Sequence, residues 1–383
     1  MDKVKIGDVS AAAFKEFLQF FYFGQVKLTM GNVAAVMNLG EKYNVAECLA
    51  VCSKFLKNNL CEDNVCRHYG LAILFNQHEL KKACETVIGL NTTAVFHSNG
   101  FLTCDRKLLA EILKLDWMSC TEIELFEACM SWVKATGKQD NLTKELVQTQ
   151  LGQLFYEIRF GSMALDEFTA LVPTNGQLFT NTEYTDIIQS ITNKEFNAAM
   201  FNGNREKRCD LDPWNEKNEI KCIRFSSLRY STKPYFLKNL ETTKFTTNEP
   251  LLLKSIGLDV IKRYSSGKYI NCEDVPTAIT IVEVSGSDDF KKEVEKYNGK
   301  ANMKSSDFIS VKMPKPILVK PGFMYEFRLK QNPPKYCAIG GLLKSEVQVD
   351  NGITIQFHDD PLIPDDITST GLIYKLRFYR IGN

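Results

Sequence analysis

Apolar positions recur with a helical period through the first half of the chain. Close to the N-terminus they repeat at i, i+3, i+4 and i+7, which places them on one face of an α-helix. The residues of this first stripe are Phe14, Phe17, Leu18 and Phe21. Further stripes with the same period follow as far as Met200. The pattern therefore predicts a helical array of paired hairpins.

From about Ile220 the apolar residues follow a period of two instead. Apolar and polar residues alternate in many short segments, and turn residues rather than helices separate them. One such turn is the Asn351-Gly352 pair, which is typical of a type I′ hairpin. The alternation predicts an antiparallel β-sandwich over residues 220–383.

A polar segment separates the two halves. Residues 201–219 are charged and are broken by Gly203 and Pro213, which is typical of a linker. The chain has 383 residues, which is too long for one ordinary hydrophobic core. We therefore expect a multidomain α+β protein, in which a helical half precedes the linker and a β-sandwich follows it.

The first stripe lies in a longer phrase that resembles the second half of a BTB/POZ domain. The family phrase has the form F-x-x-(L/F)-x-x-F-(hydrophobic)-Y-x-G-x-(V/L)-x-L, followed by N-V and by a helix that ends in Y-x-V. Its counterparts here are Phe14–Leu28, Asn32-Val33 and Tyr43-Asn44-Val45. The resemblance implies that residues 1–58 are the C-terminal half of a BTB/POZ domain. The N-terminal half is expected to be missing upstream of Met1, which would leave apolar faces of the helices at Phe14 and Val33 open.

Two further resemblances cover most of the remaining chain. The helical stripes that follow resemble the BACK domain, which follows BTB in many adaptors, and imply a BACK-like domain over residues 59–200. The phrases that carry this resemblance are Asn64-Val65, Leu71-Ala72, Leu80-x-x-x-Cys84 and Leu125-x-x-Ala128-x-x-x-Trp132-Val133. Residues 220–383 resemble the PHR domain, a sandwich that ends some BTB–BACK proteins. Its phrases are Thr243–Phe245, Leu252–Leu258, Tyr336–Gly341 and Val349–Phe357.

BTB proteins are adaptors, so the domain order implies a non-catalytic protein-interaction role. The resemblance implies a substrate-recognition subunit of a cullin-RING ubiquitin ligase, in which the helical half meets a cullin scaffold and the β-sandwich binds a substrate protein. The partner-binding residues that it implies are Tyr22, Tyr43, Asn44, Asn64 and Tyr69. Core packing is the alternative role for Phe20, Tyr43 and Tyr69, and it is the favoured one. In the sandwich, residues 265–271 and 361–370 are predicted loops that offer a partner surface.

A second function stays open at this point. The family's cullin-docking motif and part of its homodimer surface would lie upstream of Met1. A structural or decoy interaction protein without ligase recruitment is therefore the alternative to a ligase adaptor. The homodimerisation that the family implies is in doubt for the same reason.

Charge and composition exclude some partners. The chain is 44% hydrophobic and 24% charged, as globular proteins are, and its net charge of +1 gives no reason to expect a nucleic-acid or membrane partner. The charge is uneven, because residues 201–383 carry 29 Lys and Arg against 23 Asp and Glu. A solvated surface is the favoured interpretation of this excess, and an attraction between the two halves is the other.

Cysteine usage and the absence of apolar runs indicate a compartment. No run approaches the roughly 20 apolar residues of a membrane span, and the N-terminus lacks the apolar segment of a secretory signal. Many of the twelve cysteines lie on helical stripes, where a thiol packs as a small apolar group. Examples are Cys48, Cys52, Cys84 and Cys129. These features favour a reducing compartment and a cytoplasmic protein.

The sequence offers no constellation for catalysis. Four histidines are present, and none stands in a pattern with a nucleophile. The nearest approach to the spacing of a zinc site is Cys48, Cys52, Cys61, Cys66 and His68. The first two of these belong to a buried stripe, and the adjacent carboxylate pairs of the chain lie in predicted loops. We therefore expect no enzyme, no cofactor and no metal site.

Overall fold

A computed structural model gives the fold of the protein. It describes residues 9–210, 219–227, 240–259, 262–265, 268–271, 275–284, 291–301, 308–331, 337–338, 342–349, 352–358, 368–369 and 372–381. The chain forms two compact units, which divide between Pro213 and Trp214. The first unit is helical and the second is built of antiparallel sheets, so the predicted α+β fold class is confirmed.

The first unit consists of α-helices joined by short turns. The described helices are α1 (Ala11–Phe23), α2 (Val33–Lys42), α3 (Ala46–Asn58), α4 (Val65–Leu74), α5 (His78–Leu90), α6 (Thr92–Phe96), α7 (Asn99–Leu102), α8 (Arg106–Leu113), α9 (Glu122–Gly137), α10 (Lys144–Gln150), α11 (Leu165–Asn175) and α12 (Asn181–Thr192). Short 3-10 turns lie at Gly152–Glu157, Phe160–Ser162, Gly176–Leu178 and Arg208–Asp210. Apolar stripes fill the core, and in α5 the side chains of Leu80, Cys84 and Ile88 are completely buried. None of the described helices is both long and apolar enough to cross a membrane.

Two consecutive hairpins of this unit form a repeat. Helices α2 and α3 make the first hairpin, and α4 and α5 make the second. Identical residues recur at the offset that separates Asn32 from Asn64. The matching pairs are Asn32/Asn64, Val33/Val65, Leu39/Leu71, Asn44/Asn76, Glu47/Glu79, Cys52/Cys84 and Asn59/Asn91. Because α3 also packs against α5, the second helices of the two hairpins are neighbours in the core.

Both hairpins begin with the same asparagine bridge. Asn32 Nδ2 donates to the Lys27 carbonyl at 2.9 Å, and its Oδ1 accepts from the Thr29 N–H at 2.7 Å. Asn64 makes the two equivalent bonds. Its Nδ2 donates to the Asn59 carbonyl at 2.8 Å, and its Oδ1 accepts from the Cys61 N–H at 2.9 Å. Each amide closes the turn before its helix and pairs two backbone groups that would otherwise need water.

Both hairpins also turn at an asparagine in the left-handed conformation. The φ angle is 53° at Asn44 and 51° at Asn76. The next residue then donates its N–H back to the end of the preceding helix, at 2.7 Å for Val45 and 2.8 Å for Gln77. The left-handed conformation costs roughly 1–2 kcal/mol for most residues, and asparagine tolerates it better than most. This preference explains why asparagine occupies the turn in both hairpins.

Part of the predicted linker packs in the helical unit. The Asp186 carboxylate of α12 accepts three backbone N–H bonds, from Ala199 at 2.7 Å and from Met200 and Phe201 at 3.2 Å each. The Phe201 ring then meets the Phe160 ring edge-on, with centroids 4.9 Å apart. The segment predicted to be a linker from residue 201 therefore starts with residues that the helical core holds.

A buried ion pair anchors the same segment further on. Glu122, at the start of α9, accepts from Arg208 Nε at 3.1 Å and from the Arg159 N–H at 2.7 Å. Arg208 also donates to the Leu115 carbonyl. All three charged side chains are buried, and removing one partner of a buried pair costs about 3–5 kcal/mol. Residues up to 208 thus belong to the helical unit, whereas the predicted boundaries 58/59 and 200/201 remain predictions.

The second unit consists of strands. The described strands are β1 (Glu219–Ile223), β2 (Phe225–Ser227), β3 (Leu240–Thr247), β4 (Leu251–Asp259), β5 (Lys262–Ser265), β6 (Lys268–Asn271), β7 (Val275–Val284), β8 (Lys291–Ala301), β9 (Phe308–Val319), β10 (Met324–Gln331), β11 (Cys337–Ala338), β12 (Leu342–Lys344), β13 (Glu346–Val349), β14 (Ile353–Phe357), β15 (Thr368–Ser369) and β16 (Ile373–Arg380). A four-stranded sheet has the order β1-β16-β4-β9, and a six-stranded sheet has the order β13-β14-β3-β10-β7-β8. Smaller sheets are β11-β5-β6 and β15-β12-β2. Inward residues of the two large sheets, among them Phe245, Phe327 and Leu376, share one core, as in a sandwich.

Two predicted turns of the sandwich have different outcomes. Strands β13 and β14 pair as a hairpin, and Gly352 has a φ of 78°, as the predicted turn requires; Asn351 lies outside the described residues. Residues 265–271 are not a simple loop, because β5 ends at Ser265 and pairs with β6. Extended pairing of these strands satisfies the backbone that a loop would leave to solvent. Apart from β15, the predicted loop 361–370 lies outside the described residues.

His68 is a buried polar side chain in α4. Among the described residues its Nδ1 has no hydrogen-bond partner. Burial, assisted by the nearby charge of Arg67, lowers the pKa of His68 from 6.5 to about 4. The imidazole is therefore neutral in the folded protein at neutral pH.

The asparagine turns give a first prediction. Replacing Asn76 by alanine should lower the free energy of unfolding by about 1 kcal/mol, because alanine pays more for the left-handed conformation. Replacing it by glycine should change that free energy by only a few tenths of a kcal/mol. Urea unfolding followed by circular dichroism measures both, and Asn44 in the first hairpin should respond in the same way. Equal stability of the alanine and glycine variants would contradict the prediction.

His68 gives a prediction for pH. His68 binds a proton near pH 6.5 in the unfolded chain and only near pH 4 in the folded chain. Its protonation therefore does not reduce the free energy of unfolding above pH 6.5, and it reduces that free energy progressively as the pH falls from 6.5 toward 4. Between pH 7 and pH 5 the histidine should remove roughly 2 kcal/mol of unfolding free energy. The His68→Leu variant should lack this part of the pH dependence, and a His97→Gln variant at an exposed histidine should keep it. Parallel pH profiles of wild type and His68→Leu would overturn the assignment.

Candidate protein-interaction surface

The last turn of α1 carries three consecutive exposed aromatic side chains. Phe21 is 60% exposed, Tyr22 is 71% exposed and Phe23 is 76% exposed. The helix ends directly after them, because Gly24 adopts a left-handed φ of 67° and donates its N–H to the Phe20 carbonyl. Glycine carries no Cβ penalty in this conformation, so the sequence stops the helix where the aromatic residues end.

Tyr43, at the end of α2, extends this exposed surface. Its ring stacks on the Phe17 ring with centroids 5.5 Å apart, and Phe17 also contacts Phe21 at 6.4 Å. Tyr43 itself is 46% exposed. We call the exposed set the aromatic patch, and its members are Phe21, Tyr22, Phe23 and Tyr43. Among the side chains whose burial the structure describes, these four are the aromatic ones that are strongly exposed.

Phe21 lies on the predicted apolar stripe of α1 but is exposed. In α1 only Ala13 and Phe17 are buried, and the Phe17 ring stacks on the Tyr43 ring. The open apolar face expected for this helix is therefore present at its C-terminal end. The same expectation is wrong for α2, where Val33 and Val36 are buried.

Hydrogen bonds fix the end of α1 relative to the start of α2. The Glu16 carboxylate of α1 accepts the Lys27 N–H at 2.9 Å. The Lys27 carbonyl in turn accepts from Asn32, in the bridge that opens the first hairpin. The chain between the two helices is thus tied at both sides, which holds the aromatic patch in one place.

Two other predicted partner-binding residues have different surroundings. Asn44 is exposed beside Tyr43, and its backbone makes the left-handed turn of the first hairpin. Asn64 is partly buried, and both ends of its amide are engaged by the bridge of the second hairpin. The structure therefore places Tyr22 at the surface of α1 and Tyr43 and Asn44 at the surface of the first hairpin, and it uses Asn64 to support the second hairpin.

Tyr69 lies in the core, in agreement with the alternative interpretation of this residue. Its hydroxyl donates to Glu85 at 3.0 Å, and Lys81 bridges Glu85 to Glu111 of α8. Burial, with the added effect of the Glu85 charge, raises the pKa of Tyr69 far above its ordinary value. The hydroxyl is therefore a permanent donor that ties α4 to α5, and it is not accessible to a partner in this structure.

Sequence reasoning missed Phe21 and Phe23 as exposed residues, although a signal was present. Residues 20–23 read Phe-Phe-Tyr-Phe, and consecutive residues of a helix point about 100° apart. Four aromatic residues in succession therefore surround the helix and cannot all face one core. This run predicts exposed aromatic surface wherever only one side of the helix is covered.

The described residues contain no group of histidine, cysteine and carboxylate side chains arranged to hold a metal. Cys48 and Cys52 are fully buried, as predicted for core thiols. Burial also raises the pKa of Cys66, Cys104 and Cys129 to about 12 in each case, with smaller contributions from nearby charges. At neutral pH these thiols are protonated and poorly nucleophilic.

Parts of the helical half match two family models. Residues 1–60 match the model of the BTB/POZ domain, and residues 65–173 match the model of BACK, "BTB And C-terminal Kelch". The first repeat hairpin lies in the BTB match, and the second lies almost wholly in the BACK match. The aromatic patch belongs to the BTB match.

Several curated proteins are similar to this chain. BTB/POZ domain-containing protein 3 of Mus musculus is 27% identical over 260 residues, which are 67% of this chain and 47% of that protein. BTB/POZ domain-containing protein 6 of Homo sapiens is 27% identical over 259 residues, or 67% of this chain and 46% of that protein. BTB/POZ domain-containing protein 6-B of Danio rerio is also 27% identical, over 52% of its length. The chain thus spans about half the length of the curated relatives it matches, and it is similar to BTB/POZ domain-containing proteins 3 and 6 over 67% of its own length.

Proposed function

We propose that this protein is a non-catalytic, cytoplasmic adaptor whose helical unit docks on a cullin scaffold of a ubiquitin ligase and whose β-sandwich binds the substrate. The observation that carries the proposal is the aromatic patch, which lies within the BTB match. Monomeric proteins rarely leave several large aromatic side chains exposed together, and such patches mark interaction sites. Tyrosine is also enriched among the residues that dominate binding energy at interfaces.

The location of the patch favours a docking role over a purely structural one. Hydrogen bonds of Glu16 and Asn32 tie the backbone between α1 and α2, next to the end of α1 that carries three of its members. A preformed surface loses little conformational entropy when a partner binds. We assign Tyr22, Tyr43 and Asn44 to the contact itself, and Asn64 and Tyr69 to the support of the neighbouring helices.

For the second unit we propose a PHR-like sandwich that recognises the substrate. The antiparallel sheets and the shared core support this assignment, together with the sequence phrases that resemble the PHR domain. A second copy of the chain is another occupant to consider for the aromatic patch, since the family implies homodimers. A decoy that binds partners without recruiting a ligase is the alternative function, and it uses the same surfaces.

A pull-down with purified cullin N-terminal region tests the proposal. The double variant Tyr22→Ala, Phe23→Ala should weaken binding by about tenfold or more, because truncating an interface anchor costs more than 1 kcal/mol. Both side chains are exposed, so thermal unfolding should stay nearly unchanged. The matched control is Leu165→Ala, Ile188→Ala, which removes two exposed apolar side chains elsewhere in the helical unit and should bind as wild type does.

Three outcomes would change the conclusion. Equal binding by the patch variant and the control would remove the patch from the cullin contact. Failure of the wild-type chain to bind the cullin region, with substrate binding retained, would favour the decoy. A loss of dimer mass in the patch variant on light scattering would assign the patch to a second copy of the chain.

A further inference from the structure

The start of α9 lies beside a buried cluster of one carboxylate and two guanidinium groups. Arg159 is 4% exposed and Arg208 is 2% exposed, and Glu122 is buried between them. One Glu122 oxygen accepts the Arg159 backbone N–H at 2.7 Å, and the other accepts from Arg208 Nε at 3.1 Å. Burial lowers the pKa of Arg208, and the charge of Arg159 adds to this effect, so the two guanidinium groups lie within electrostatic range of each other.

Three buried nitrogen atoms of the two arginines lack a hydrogen-bond partner among the described residues. Arg159 donates through Nη2 to Asp116 at 2.7 Å, whereas its Nε and Nη1 make no hydrogen bond. Arg208 donates through Nε and Nη1, the latter to the Leu115 carbonyl, and its Nη2 makes no hydrogen bond. A buried donor without a partner loses its hydration without compensation, so native proteins rarely leave such groups empty.

The charge of this cluster is not balanced in the interior. Two guanidinium groups and one carboxylate leave one positive charge in excess among the buried side chains. Asp116 is the second carboxylate in contact with Arg159, but its side chain is 77% exposed, so water screens its charge. Glu124, in the same first turn of α9, is also exposed and bonds to Thr121. The excess charge therefore has no buried counterion in the described part of the chain.

Two neighbouring cysteines do not supply the missing negative charge. Cys120 and Cys129 are both buried, and their ionised thiols would interact with Arg208. Burial raises the pKa of each thiol to about 12, so both are protonated at neutral pH. A protonated thiol is a weak hydrogen-bond partner and carries no charge.

We propose that Arg159 and Arg208 hold a small inorganic anion such as chloride, which accepts hydrogen bonds from the three unpartnered nitrogens. An anion brings acceptors only, and it meets a site where the unpartnered groups are all donors. A water molecule would bring two hydrogens that need acceptors, whereas both Glu122 oxygens already accept a bond. The three nitrogens are closed off from solvent, which favours a small ion over a phosphate group on a larger molecule.

The anion would join three segments that are distant in sequence. Glu122 begins α9, Arg159 precedes the 3-10 turn Phe160–Ser162, and Arg208 lies in the segment that follows α12. The unfolded chain does not assemble these groups, so the ion binds the folded state and stabilises it by mass action. The inference concerns the interior of the helical unit, and it does not depend on the proposed adaptor role.

The first test locates a halide in crystals of the whole chain. Bromide replaces chloride and scatters anomalously, so crystals soaked in sodium bromide should show an anomalous difference peak within hydrogen-bond distance of Arg159 and of Arg208 Nη2. Density at this position without an anomalous signal would identify a water molecule and would overturn the inference. An empty site would overturn it as well. This test uses the wild-type protein and does not depend on the stability of a variant.

The second test follows thermal unfolding of the helical unit as chloride replaces gluconate at constant ionic strength. The unfolding temperature of wild type should rise by about 3–6 °C for each tenfold increase in chloride above the dissociation constant. Arg159→Met should abolish this rise, because it removes one guanidinium group and keeps the Glu122–Arg208 pair. The matched control is Asp116→Asn, which weakens the exposed ion pair of Arg159, keeps both guanidinium groups and should respond as wild type does.

The two tests together separate the remaining outcomes. A bromide peak in crystals without a chloride response in solution would indicate an adventitious ion only. Equal chloride responses of wild type and Arg159→Met would place any halide binding elsewhere and would overturn the assignment. Loss of the response in Asp116→Asn as well as in Arg159→Met would also contradict it, because the exposed ion pair would then explain the salt effect. The cullin pull-down does not enter these readouts, so the two proposals can fail separately.

Discussion

The asparagine bridges that open the two hairpins are the constraint on which the helical unit depends. A tight turn into a helix leaves backbone N–H and carbonyl groups that must find partners. One amide side chain supplies both a donor and an acceptor, and it reaches both sides of the turn in Asn32 and again in Asn64. The left-handed asparagines Asn44 and Asn76 set the other end of each hairpin. The hairpins are thus fixed at both ends, and the packing of α3 against α5 joins them in the core.

The size of the aromatic patch limits the binding free energy that it can supply. An aromatic side chain buries about 150–250 Å² when fully covered, which at about 25 cal/mol per Å² corresponds to a few kcal/mol for each of the four rings. Association itself costs an estimated 4–15 kcal/mol before any net affinity remains. The patch can therefore anchor a partner, but a complex of useful affinity must also cover polar surface around it. Asn44, exposed beside Tyr43, belongs to that surrounding surface.

Local patterns predicted the classes of structure but not the long-range contacts. The helical period, the period of two and the Asn-Gly turn follow from neighbouring residues, and each has its counterpart in the fold. Phe21 fits a helical stripe as well as Phe17 does, yet only the second has a partner ring. Tyr69 is among the implied partner-binding residues, yet it is buried and its hydroxyl bonds to Glu85, which lies sixteen positions away. Phe201 and Arg208 lie in a polar segment, and their partners Phe160 and Glu122 are too distant in sequence for a local pattern to reveal.

The hairpin repeat is visible in the sequence once Asn32 and Asn64 are aligned, and it was missed because few residues are identical between the two hairpins.

The two units offer surfaces that depend on different physics. The helical unit exposes aromatic rings, whose contribution to binding comes from apolar burial and changes little with salt. The sandwich exposes lysine side chains such as Lys221 and Lys312, and interactions of exposed charges are screened over about 10 Å at moderate ionic strength. Apolar anchors mainly lengthen the residence time of a complex, whereas charge complementarity mainly accelerates encounter and selects among partners. Under the proposed function, the aromatic patch of the helical unit therefore supplies the lasting contact.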